Sequence, residues 1–211
     1  MNTVESGHAV RTAPVYEVLA ADIKSLGVEA VFGLMSDDTA LFVTALDMVG
    51  ITFHGGRHEN AAISMAEGYA YASGSLGIAV VGRGPATANG LHAAVYAART
   101  GSRVLIIYGD AAFGTSSTNA LGPDYKAFNA LGVLTAAGLQ VLRATSAAGA
   151  RTTLADAAGL AMQGNAVALL LPTSIQLAKL EWGDADPAPS VVVAETSAES
   201  ARPEAVQSAV D

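Results

Sequence analysis

Helical and strand-like hydrophobic patterns alternate along this chain. Val15, Val18, Leu19, Ile23 and Leu26 recur at helical spacing and end at Gly27. A short apolar run over 30–34 predicts a buried strand. Leu41, Phe42, Ala45, Leu46 and Val49 predict the next helix, with Ser36 and Asp37 as candidate caps and Gly50 as its stop. A strand over 51–54 leads into a helix over 59–72, where Ala62, Met65, Ala66, Tyr69 and Ala70 share one face. Another strand over 78–81 precedes a Gly/Pro turn and a helix over 87–98. Residues 104–108 form a nearly all-apolar strand, and 109–122 are small and polar, as in a functional or mobile loop. The pattern then repeats: strand over 139–144, helix capped by Thr145 or Ser146 and running to Met162, strand over 167–171 stopped by Pro172.

Apolar strands separated by helices predict an α/β fold, a parallel sheet flanked by helices on both faces. The folded body is expected over 14–182, after an N-terminal extension over 1–13. From Glu181 onward the chain carries seven acidic residues against one Arg, with Pro187, Pro189 and Pro203. We read 183–211 as an acidic, Pro-containing tail.

Composition narrows the function classes. With 51% apolar and 14% charged residues in 211, a substantial core is expected, and a mainly disordered or coiled-coil chain is excluded. Eleven basic residues face 19 acidic ones, a net charge of -8, so no basic stripe exists for a nucleic-acid partner. The absence of Cys removes disulfides, Cys-ligated zinc and a Cys nucleophile. Neither an apolar leader nor a membrane-length apolar run is present, and a cytoplasmic protein with no membrane contact is expected.

The most informative stretch is Arg57-His58-Glu59-Asn60-Ala61-Ala62, running into Met65-Ala66-Glu67-Gly68-Tyr69-Ala70. Glu59 opens an Ala-rich helix. It reads either as a first-turn acid favoured by the helix dipole or as a half-buried carboxylate that exchanges a proton with a ligand. The turn Gly82-Arg83-Gly84-Pro85 follows a strand and opens a helix carrying Asn89. It is either an ordinary βα turn or a ligand cradle, and it is neither G-x-G-x-x-G nor a P-loop. His54 and His58 straddle Gly55-Gly56 rather than sharing a helical face, which disfavours zinc. Asp37-Asp38 reads as a cap before a metal site. Asp110 is a turn former or a ligand group at a strand's carboxyl end.

Taken in order, Phe32-Gly33, Arg57-His58-Glu59, Met65-Ala66-Glu67-Gly68-Tyr69-Ala70, Gly74, Gly84-Pro85 and Asn89 resemble the pyrimidine-binding (PYR) domain of thiamine-diphosphate enzymes. The resemblance spans about 14–180 and is nearest to the acetolactate synthase and 2-oxoacid decarboxylase group. It implies that Glu59 is the catalytic glutamate that hydrogen-bonds the aminopyrimidine ring and promotes proton removal from thiazolium C2. It implies a pocket and subunit interface around Gly84, Pro85, Asn89 and Met35. Asp110, Thr115, Ser116 and His58 become candidates for handling a small 2-oxo acid.

The sequence departs from the family pattern in three places. Leu34-Met35-Ser36-Asp37 stands where Ile-Pro-Gly-Gly is common, and Gly109-Asp110 where Gln or His often selects substrate. No Gly-Asp-Gly followed by Asn is present to hold Mg²⁺ and diphosphate. The expectation is therefore one subunit of a split decarboxylase or carboligase. A separate diphosphate-binding (PP) subunit would bind Mg²⁺, in a heterotetramer. The rivals are a non-catalytic PYR-like regulatory or scaffold module and a flavodoxin-like or Rossmann-like nucleotide-binding domain, the latter disfavoured by the incomplete glycine pattern.

Overall fold

Strand β1 (Val10–Pro14) leads directly into α1 (Val15–Ser25), followed by β2 (Ala30–Gly33), α2 (Ala40–Met48), β3 (Thr52–Gly55), α3 (Glu59–Ser73), β4 (Gly77–Val81) and α4 (Pro85–Arg99). Next come β5 (Val104–Asp110), the short β6 (Thr118–Asn119) and β7 (Gly122–Pro123), α5 (Ala130–Ala136), β8 (Gln140–Arg143), α6 (Ala147–Met162), β9 (Ala166–Pro172), α7 (Thr173–Leu177) and β10 (Lys179–Gly183). The computed structural model describes residues 10–112, 118–119, 122–183 and 187–191.

Six strands form one parallel sheet in the order β3-β2-β4-β5-β9-β8. Its central strands are buried throughout, which is why they read as continuous apolar runs. Alternation divides their side chains between two cores. Leu105 and Ile107 face one core with Leu19 and Ile23 of α1, Phe42 and Leu46 of α2 and Leu154 of α6. Val104, Ile106 and Tyr108 face the other, with Ala62, Ala66 and Ala70 of α3, Ala93, Ala94 and Ala97 of α4 and Leu134 of α5. The expected α/β architecture with helices on both faces is the one observed.

The small residues of α3 and α4 allow close backbone approach. A Cβ on Gly77 would overlap the Ala66 carbonyl oxygen, so β4 and α3 meet only because residue 77 is Gly. At the opposite side of the body, β1 pairs antiparallel with β10 across both expected domain boundaries, and Arg11 lies 4.6 Å over the Trp182 ring. Pro187 accepts a 3.0 Å hydrogen bond from Arg151, and Val191 packs partly buried on the first core.

Two local expectations are corrected. The caps expected at Ser36 and Asp37 are not caps. Helix α2 begins after Thr39, which makes no side-chain capping bond; the side chains of Ser36, Asp37 and Asp38 bond one another, Lys126 and the Arg83 amide instead. The polar segment expected from Gly109 is strand through Asp110, since β5 stays paired with β9 up to Pro172. Helix α5 and the strands β1 and β10 were not signalled by periodicity.

Candidate active site

Open parallel sheets leave ligand crevices beyond the carboxyl ends of their strands. Such a cleft, about 470 Å³, lies past β2, β3 and β4, and is lined among others by Leu34, Met35, Asp37, Glu59, Arg83, Pro85, Asn89 and Lys126. Its volume falls within the roughly 300–1,000 Å³ common for small-molecule sites.

Glu59 is the first residue of α3, and the His58 imidazole caps that helix by accepting from the Asn60 amide at 3.2 Å. The helix N-terminus favours a carboxylate here. Glu59 is only 8% exposed, yet it lines the cleft. Its Oε2 accepts from Asn89 Nδ2 at 3.1 Å, while Oε1 has no hydrogen-bond partner among the described residues. Helix α4 comes close enough for this because residue 90 is Gly: a Cβ there would sit 2.6 Å from Ile63 Cδ1 and 3.5 Å from Glu59 Cβ. Asn60 adds a second tie, its Oδ1 accepting from the Ala93 amide at 2.9 Å. Sequence reasoning missed Asn60; its signal is an amide side chain in the first turn of a helix that packs on another.

The other wall is charged. Arg83 donates both Nη atoms to the Asp124 carboxylate, at 2.8 and 3.1 Å. Lys126 is hydrogen-bonded to Asp37, to Asp38 at 3.2 Å and to Ser36 at 3.3 Å. The Lys126 hydrogen bond holds the Asp37 carboxyl down at about 2, and the Arg83 hydrogen bond likewise lowers Asp124. Burial opposes the Lys126 charge, but its hydrogen bonds to Asp37 and Asp38 outweigh this and raise its pKa. Nothing in the periodic pattern marked Asp124 or Lys126.

Of the residues singled out from sequence, Glu59, Met35, Pro85 and Asn89 meet in this cleft. Gly84 is the N-cap of α4 at φ 70, and its missing side chain admits the Lys126 carbonyl, so it shapes the wall from behind. His58 is an exposed cap, and His54 stacks on Phe32 with ring centroids 5.3 Å apart. Asp110 is not among the cleft-lining residues. It is buried at the end of β5, where it pairs with Arg143 at 2.7 Å, across β9. Thr115 and Ser116 lie outside the described residues. Among the described residues, no group of three or more potential ligands is placed to hold a metal ion, and no helix is long and apolar enough to cross a membrane.

The cleft sets apolar surface from Leu34, Met35 and Pro85 beside a carboxyl oxygen of Glu59 that has no partner among the described residues and can accept a hydrogen bond. No curated protein matches this sequence. The family described as "Thiamine pyrophosphate enzyme, N-terminal TPP binding domain" matches residues 14–130, more than half of the 211, and the chain belongs to that family of thiamine-diphosphate enzymes.

Proposed function

We propose that this chain is the PYR-domain subunit of a two-component thiamine-diphosphate enzyme. It would decarboxylate a small 2-oxo acid, transfer the acyl-anion equivalent to an acceptor carbonyl, or do both. A separate PP-domain subunit would hold the diphosphate and Mg²⁺, in a heterotetramer. The reading is supported by the family match and by one observation above all. A buried carboxylate at the start of α3 opens onto a cleft with one apolar and one charged wall, one of its oxygens having no hydrogen-bond partner among the described residues.

Thiamine diphosphate, when bound, supplies a thiazolium ring that stabilises carbanions. Glu59 would hold the aminopyrimidine ring, its carboxylate accepting from or sharing a proton with the ring nitrogen. Asn89 fixes the carboxylate through Oε2. Leu34, Met35 and Pro85 would offer the ring its apolar contact.

The test is Glu59→Gln in the assembled two-chain complex, read as deuterium exchange at C2 of the bound cofactor before substrate is added. Glutamine preserves size but cannot share the proton, so exchange should slow by about 10²–10⁴-fold with the fold intact. Glu67→Gln, two turns along α3 and hydrogen-bonded to Ser102 at 2.9 Å, should do far less. Exchange as fast as in the parent complex would end the assignment. A complex that binds the cofactor but never turns over would point instead to a regulatory module.

A further inference from the structure

The charged wall of the cleft has a buried centre that the proposed chemistry does not use. The Asp38 side chain is 3% exposed. Its Oδ1 accepts from Ser36 Oγ at 2.6 Å and from Lys126 Nζ at 3.2 Å, and its Oδ2 accepts from the Arg83 amide at 2.8 Å. Its backbone carbonyl accepts from Gln176 Nε2 at 3.0 Å. One residue therefore joins the β2–α2 loop, the β4–α4 turn, the 124–126 segment and α7.

The space it occupies belongs to Gly109. A Cβ on Gly109 would overlap Asp38 Oδ2 and lie 2.9 Å from its Cγ. Gly82 is small for a related reason, since a Cβ there would sit 2.8 Å from Ser36 Oγ. The polar run after β2 and the glycine at position 109 of β5 are thus two halves of one exchange: the carboxylate fills the volume that residue 109 leaves open. Lys126 has three N–H donors, and Ser36, Asp37 and Asp38 provide three acceptors. No donor remains for a ligand, so Lys126 acts on the cleft by where it sits.

We infer that Asp38 is the positioning residue of this cleft, lodged in the space vacated at Gly109, and that it fixes Arg83 and Lys126 in the wall facing the ligand. The inference uses the cleft assignment. Its test involves no cofactor, so it stands or falls separately from the proposed activity.

Two measurements on the full chain decide it. The first is a double-mutant cycle in thermal stability. Gly109→Ala should lower Tm by at least ~4 °C in the parent, and by much less in an Asp38→Ala background, where the overlapping carboxylate is gone. Equal losses in both backgrounds would overturn the shared-volume argument. The second is spectroscopic. The chain has three lysines, Lys24, Lys126 and Lys179, so ¹⁵N-lysine labelling gives few ammonium signals, and Lys126→Met assigns one of them. The Lys126 ammonium should exchange slowly with water in the parent. Asp38→Asn keeps the shape but loses the charge, and should speed that exchange at least about tenfold while core amides stay protected. A slow Lys126 ammonium that survives Asp38→Asn would overturn the inference. If Asp38→Ala does not fold, Asp38→Ser, which also vacates the overlapping carboxylate, takes its place in the cycle; if Asp38→Asn does not fold, Ser36→Ala, which removes only the hydroxyl, takes its place in the exchange measurement, each with the same expected direction and the same overturning result.

Discussion

Glu59 is held by close backbone packing and two amide side chains, whereas Lys126, in the same cleft, is held by carboxylates. The first wall rests on Gly77 against Ala66, Gly90 against Ile63, and the Asn89 and Asn60 hydrogen bonds between α3 and α4. The second rests on Arg83–Asp124 and on Lys126 with Asp37 and Asp38. Packed backbone has few alternatives and does not respond to salt. Ion pairs near a surface are screened and give way more easily. Glu59 thus sits on the rigid, backbone-packed wall, and Lys126 on the wall held by charge.

The sharpest way to break the rigid wall is Gly77→Ala. The added methyl meets the carbonyl of Ala66 inside a helix, which cannot step aside as a flexible side chain would. Overpacking of this kind costs about 3 kcal/mol, a Tm loss of roughly 6–12 °C for a chain of this length. Gly68→Ala is the control. Nothing lies within 4 Å of a Cβ there, so the better helix former should leave Tm unchanged or slightly raised. Calorimetry showing equal effects at 77 and 68 would remove the packing argument.

Asn89→Ala probes the same wall more gently. The substitution leaves a buried carboxyl oxygen without its partner, so about 1.5 kcal/mol should disappear. Urea unfolding should show a lower midpoint with an unchanged slope. In a Glu59→Ala background the same substitution should cost almost nothing. A full cost there would mean that Asn89 serves α4 rather than Glu59.

Legibility in the sequence follows how local each signature is. The Ala spacing of α3 and the Gly-Pro start of α4 each leave one within a few residues. The sheet was readable for a related reason, since strands buried on both faces must be continuous apolar runs. The ties that build the two walls are distant: Asn60 to Ala93, 33 positions apart, Ser36 to Lys126, 90 apart, and Arg83 to Asp124, 41 apart. No periodicity links such pairs, so Ser36 and Asp37 looked like caps, and Gly109 looked like the start of a loop rather than room for Asp38. Asp110, at the carboxyl end of β5, likewise has a distant partner that no periodicity marks: the pairing of β9 and β8 brings Arg143 to it.

The smallest expected effect belongs to Asp37, and it separates the two acids that share Lys126. The Asp37 side chain is 72% exposed, against 3% for Asp38. Most of its attraction for Lys126 is therefore spent in water, and Asp37→Asn should cost about 0.5 kcal/mol. The cost should shrink further in high salt. Its pH dependence has a fixed sign. The Lys126 hydrogen bond lowers the carboxyl from 3.8 to about 2 in the folded protein. The unfolded chain then binds the proton first as pH falls. The contribution is fully present above pH 3.8 and is lost as pH drops through about 2. The Tm difference between parent and Asp37→Asn should be flat from pH 8 to 5 and close to zero near pH 2. A difference that stays constant down to pH 2, or one as large as that of Asp38→Asn, would show that the exposed acid rather than the buried one anchors the clasp.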